Sequence, residues 1–161
     1  MWQELAKNLA VLISNYQKLI KLNEKKHGVL ILVQLSELEK IIQEEEKIVA
    51  KIHQAEKERQ GIMTRLAATQ PSLQPNMQMN EVCNQCPEEG HRNTLRRLHQ
   101  MLSKLVKEAQ EASANNEFLI SAALDAVNFK LNQLGGSTVE PAYGKQGQEI
   151  VSHSNNLNLE T

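Results

Sequence analysis

Any chemistry in this chain would begin at Cys83-Asn84-Gln85-Cys86, which holds both of its cysteines. Two thiols at this spacing could form a dithiol redox pair or half of a zinc site, with His91 and His99 downstream as further ligands. A structural zinc site needs two close ligand pairs, and His91 and His99 lack the usual three-to-five spacing. A thioredoxin-like dithiol needs a βαβ setting that this sequence lacks. Cys83 and Cys86 therefore read as incidental loop thiols, with a metal site the weaker reading. The other candidates disperse further. His27, His53, His91, His99 and His153 never fall in pairs on one helical turn, and no nucleophile, base and orienter recur together. No glycine loop is shaped to cradle phosphate, and Glu44, Glu45 and Glu46 form a charge run of the kind that faces solvent. The chain reads as a non-enzyme that needs no cofactor.

The elements that would position any site are helical. Of 161 residues 23% are charged, 3% are aromatic and only four are prolines, a composition of helix formers and one domain's length. The net charge of −1 provides no basic face for nucleic acid, so the expected partner is protein. The longest wholly apolar runs, such as 29–33, are far shorter than the ~20 residues of a spanning helix. The N-terminal stretch has an early acid and no cleavage-site pattern. With only two cysteines there is no disulfide framework, and a cytoplasmic location is expected.

Trp2, Leu5, Leu9, Leu12, Tyr16, Leu19 and Leu22 step by three and four, which predicts a first helix over 2–33 with a bend at Gly28. Ser36 is a candidate N-cap, completed as a capping box by Glu39, for a second helix over 36–69. Its seam takes in Leu38, Ile42, Glu45, Val49, Ile52, Arg59, Met63 and Leu66, and two of these are charged. A helix of this length is a rod of roughly 50 Å that cannot bury itself alone. A proline- and asparagine-rich connector over 70–88 follows, with room for a short helical turn near Met77 and Cys83. The last helix is expected over 89–134, closed by Gly135-Gly136.

That last helix begins with a narrow seam of Leu95, Leu98, Leu102, Leu105, Ala109 and Ala112, which widens after Asn115. Leu119 and Ala123 continue the first stripe. Ile120, Leu124, Val127, Leu131 and Leu134 draw a second beside it, flanked by Phe118 and Phe129, the only phenylalanines. One intramolecular contact does not consume so much apolar surface, so either a wider core or another protein covers it. The remainder, 135–161, is rich in Ser, Asn and Gly and cannot bury enough to fold by itself. It reads as a flexible tail whose scattered apolar residues could bind a partner. The expected fold is all-α: an elongated antiparallel three-helix bundle with long helices and a flexible C-terminal tail. The imperfect second seam and the drift of the last helix favour this over a long parallel coil.

Several stretches together resemble the FlgN family of flagellar export chaperones. They are Glu24-Lys25-Lys26 near the end of the first helix, LSELEKIIQEEEKIVAKI opening the second, Lys57-Glu58-Arg59 towards its end, and NNEFLISAALDAVNFKLNQL in the last. Val127-Asn128-Phe129 with Leu131 and Leu134 is the most specific piece, and Pro141-Ala142-Tyr143-Gly144 is also similar to the family's tail. His27-Gly28 and the Cys83–Cys86 connector depart from the pattern.

The resemblance implies a cytoplasmic, non-enzymatic chaperone of type III export. It would bind hook-associated proteins of the hook-filament junction, prevent their premature assembly and deliver them to the export gate. Its contact with the membrane would be peripheral, through the export apparatus only, and it could form a homodimer. Carried over by position, the client-binding residues would be Phe118, Leu119, Leu124, Val127, Phe129, Leu131 and Leu134. Core packing competes for Leu119, Val127 and Leu131. Tyr143, the tail's one tyrosine, would dock on the export gate. A structural or scaffolding homo-oligomer with no export role is the alternative, in which the helix seams stay permanently paired.

Overall fold

The structure, a computed structural model, describes residues 1–135. It is all-helical among the described residues, with α1 (Trp2–Ile31), α2 (Leu35–Thr69), α3 (Met79–Asn84) and α4 (Glu89–Gly135). The chain divides into two compact units, Met1–Ala122 and Ala123–Thr161. The tail, including Tyr143 and Gly136, lies outside the described residues.

In the first unit the alternating three-and-four steps decide what is buried. On α1 Leu5, Leu9 and Leu12 are wholly enclosed, and Trp2, Tyr16 and Leu19 pack at the margin of the same core. Each fully buried leucine contributes about 1.5–3 kcal/mol. On α2 the inward row is Leu38, Ile41, Glu45, Ile48, Ile52, Ala55, Arg59, Ile62 and Leu66, with Met63 beside it. The seam expected from sequence included Ile42, yet Ile41 is the buried residue and Ile42 is exposed. A strict three-four alternation from Leu38 leads to Ile41, and it is this heptad phase that faces α1. From α4 the core takes Leu95 and Leu102, with Leu98, Leu105 and Val106 at its edge.

Polar pairs give the order of contacts. Arg65 at the end of α2 bonds Glu4 at the start of α1, and the Asn8 amide donates to the Ala55 carbonyl at 2.9 Å. Lys26 at the end of α1 reaches Glu45 near the start of α2 at 2.6 Å. Glu45 and Lys26 are mostly buried and neutralise one another, which accounts for a charged residue on the α2 seam. Arg59, the other charge there, bonds Glu56 one turn earlier.

The turn from α1 to α2 is short. The Val33 N–H bonds the Leu30 carbonyl and the Gln34 N–H bonds the Val29 carbonyl, the double closure of a Schellman motif. That motif places its C′ residue in the left-handed region, and Val33 has φ 54°. Glycine normally occupies such a position because a β-branched chain is strained there. α1 continues as helix through His27-Gly28 to Ile31. α2 begins at Leu35 after Gln34, with no side-chain cap bond. Ser36 is therefore inside the helix: the compact turn lets α2 start ahead of the expected capping box.

The connector carries α3. Cys83 and Cys86 are free and wholly buried in the main core. The Arg92 guanidinium donates twice to the Cys86 carbonyl, at 3.1 and 2.8 Å, tying the connector to α4. Burial pushes the Cys83 thiol upward, opposed by Arg96. These sulfurs act as small apolar core groups rather than incidental loop thiols. Among the described residues no cluster of three or more His, Cys, Asp or Glu could hold a metal ion. No helix among them is long and apolar enough to cross a membrane.

Candidate functional site

The second unit, over its described residues 123–135, is a stretch of helix whose apolar side chains are exposed. Leu124, Val127, Leu131 and Leu134 step by three, four and three and form one stripe along it. All four are more than half exposed, and Leu134 is 83% exposed. Phe129 is 63% exposed and stands two residues from both Val127 and Leu131, which turns it about 200° around the helix. It does not flank the stripe as expected but occupies the opposite side. The helix thus presents hydrocarbon on two faces, with only Asp125 and Lys130 charged.

An apolar surface of this kind has no bond-making chemistry. Its capacity is burial, and each leucine or phenylalanine covered by a partner would contribute about 1.5–3 kcal/mol. Contiguous exposed apolar surface is characteristic of interaction sites.

In the first unit, Phe118 is 73% exposed while Leu119 is half-buried. Leu119 continues the inward row of Leu102, Leu105, Ala109 and Ala112. Of the seven residues expected at a binding surface, six are thus largely exposed and Leu119 is half-buried. Tyr143 lies outside the described residues.

The first unit also holds a polar lock that sequence reasoning overlooked. Asn116 is 1% exposed. Its amide donates to the Asn23 carbonyl at 2.9 Å and to the Asn23 Oδ1 at 3.2 Å. Its own Oδ1 lies 3.2 Å from His27 Nδ1, which must carry the proton to donate. The Asn23 amide turns back to the Leu19 carbonyl at 3.1 Å. The chain of bonds joins α4 to α1 at one level. A signal was present in the sequence: Asn116 is four residues after Ala112 and three before Leu119, so it occupies a seam position. A buried amide there pairs only in one alignment, and this sets the register of the two helices.

Farther down α4, burial and the nearby Arg59 together lower the pKa of His99. Leu95 and Leu102 share the core cluster of Leu5, Leu9 and Leu12, while Asn116 bonds Asn23 near the end of α1.

A family model described as FlgN protein matches residues 1–149. No curated protein and no solved structure matches the chain.

Proposed function

The chain belongs to the FlgN family, and on that premise we propose that it is a cytoplasmic export chaperone for hook-associated flagellar proteins. FlgN is a family of flagellar export chaperones. In this reading the chain binds proteins of the hook-filament junction, prevents their assembly before export and delivers them to the type III export gate. It carries out no catalysis.

The observation that supports this best is the exposed helix of the second unit. Axial proteins that polymerise through amphipathic helices need those surfaces covered until export, and an exposed apolar helix covers them by helix-to-helix docking. Leu124, Val127, Phe129, Leu131 and Leu134 would be the principal client contacts. Phe118 would add an exposed ring, and Leu119 would support the helix from the core side. α1, α2 and α4 would pack as an antiparallel three-helix bundle that holds the binding segment. Tyr143 would dock on the export gate, its ring in a shallow apolar pocket and its hydroxyl in water.

Size-exclusion chromatography with light scattering, on the chain alone and mixed with a hook-associated protein of the same source, tests the reading. A discrete complex that is lost on Leu131→Ser with Leu134→Ser is the expected result. A stable homo-oligomer that ignores the client would favour the scaffold. For the gate, Tyr143→Ala should reduce client export while leaving the client complex intact; unchanged export would remove that role from Tyr143.

A further inference from the structure

Cys83 and Cys86 are placed more specifically than core filling requires. Both side chains are 0% exposed and belong to one core cluster. The Cys86 N–H bonds the Cys83 carbonyl at 3.2 Å, so residues 83–86 close a single turn. Such a turn separates its first and last Cα atoms by about 5–6 Å, inside the window of roughly 4.4–6.8 Å that a disulfide spans. Side chains three residues apart on one turn also share a face. Burial pushes the Cys83 thiol up, Arg96 opposes, and charge on Cys86 adds to the rise, as neighbouring sulfurs require.

The backbone around the pair is braced from α4. Arg92 donates twice to the Cys86 carbonyl, and Arg96 donates to the Asn84 Oδ1. The turn is thereby held while both sulfurs remain free. Among the described residues no third His, Cys, Asp or Glu completes a metal-ligand cluster with them. Alanine or valine would fill the same space, so what cysteine adds at both positions is thiol chemistry. In a reducing compartment, paired thiols without a ligand set serve transient, redox-sensing disulfides.

We propose that Cys83 and Cys86 are a reversible dithiol–disulfide pair that reacts with small-molecule disulfides and stiffens the connector when oxidised. Cys86 is the entry thiol: its neighbours Gln85 and Pro87 are exposed, whereas Cys83 follows the enclosed Val82. When the turn opens locally, the Cys86 thiolate attacks one sulfur of the small disulfide, forming a mixed disulfide and releasing one thiolate. The Cys83 thiolate then attacks the Cys86 sulfur; the Cys83–Cys86 bond forms and the second thiolate leaves. The two cysteine protons go to the two leaving thiolates, so one small disulfide is reduced to two thiols as the pair is oxidised. The closed turn can no longer uncoil, and opening of α3 is suppressed. The proposal is independent of the chaperone reading above.

The test places the full-length chain in anaerobic mixtures of oxidised and reduced glutathione, followed by an acid quench. Labelling with N-ethylmaleimide in urea and intact mass then count the free thiols. The expected product is an unlabelled monomer lighter by two hydrogens, its fraction following the glutathione ratio from both directions. Hydrogen exchange over residues 79–86 should slow at least about tenfold on oxidation. Cys83→Ala, whose folding circular dichroism checks, should stop at a glutathione adduct on Cys86 when treated with oxidised glutathione alone. A native chain that ends with two glutathione adducts, crosslinks to a second chain, or forms the bond only in urea overturns the proposal. So does a disulfide that leaves exchange over 79–86 unchanged, or a folded Cys83→Ala chain that takes no adduct.

Discussion

Replacing Asn116 by alanine removes the group that joins three side chains across α1 and α4. The variant loses the bonds to the Asn23 carbonyl and Oδ1 and the one received from His27. The Asn23 carbonyl keeps its intrahelical partner, and the exposed His27 ring can turn to water. The Asn23 Oδ1 cannot, because Asn23 is 2% exposed. An orphaned buried acceptor costs about 1–3 kcal/mol, so Asn116→Ala should destabilise the chain by about 2 kcal/mol. For a chain of this size that lowers Tm by roughly 5 °C. Thermal and urea unfolding followed by circular dichroism would measure it, with Asn23→Ala and the double variant completing a cycle. The double variant removes both partners and should lose about 1 kcal/mol less than the two single losses together. Asn116→Asp offers a carboxylate that cannot donate to Asn23 Oδ1, and at neutral pH it should be worse than alanine. A single-variant loss below about 0.5 kcal/mol, or strict additivity in the cycle, would refute the account of the lock.

Val33→Gly relieves the left-handed strain and, after the added freedom of glycine in the unfolded chain, should raise stability by about 0.5–1 kcal/mol in a thermal melt; a lowered Tm would contradict it. Glu45→Ala leaves Lys26 without its partner in a mostly buried position and should cost about 1–3 kcal/mol, while Glu37→Ala, at an exposed pair, should leave the unfolding curve unchanged. His99 titrates below its ordinary 6.5 in the folded chain, so the unfolded chain takes up its proton first. Its contribution is fully present above that value and is lost as pH falls through 6.5 toward the folded pKa; His99→Gln should flatten the slope of stability against pH in this window. Phe129→Ser should weaken client binding by about tenfold, read by titration, with an unchanged melting curve because the ring is exposed.

Helical periodicity was legible in the sequence because it depends on neighbours three and four residues away. Leu5, Leu9 and Leu12 on α1 and Leu95 and Leu102 on α4 announced their burial by spacing alone, and the all-helical class followed from composition. The widening of apolar pattern after Asn115 was legible too, and so was the choice it posed between a larger core and a partner. Three features needed the neighbouring helices. Ile41 and Ile42 are equally apolar and adjacent, and only the phase in which α2 meets α1 selects Ile41. Glu45 looked like a flaw in its seam until Lys26 stood opposite. Asn116 looked like an ordinary polar residue until Asn23 and His27, far away in sequence, came within hydrogen-bonding distance.

Exposure divides the two kinds of knowledge most clearly. Sequence determined that residues 29–35 and 118–134 are rich in apolar side chains, since side-chain chemistry is a local property. Tertiary structure decided that Leu95 is covered while Val33 and Leu134 are not, because burial depends on whether another element arrives at the same level. That arrival is set by long-range pairs such as Lys26 with Glu45 and Asn116 with Asn23, whose partners no local pattern identifies.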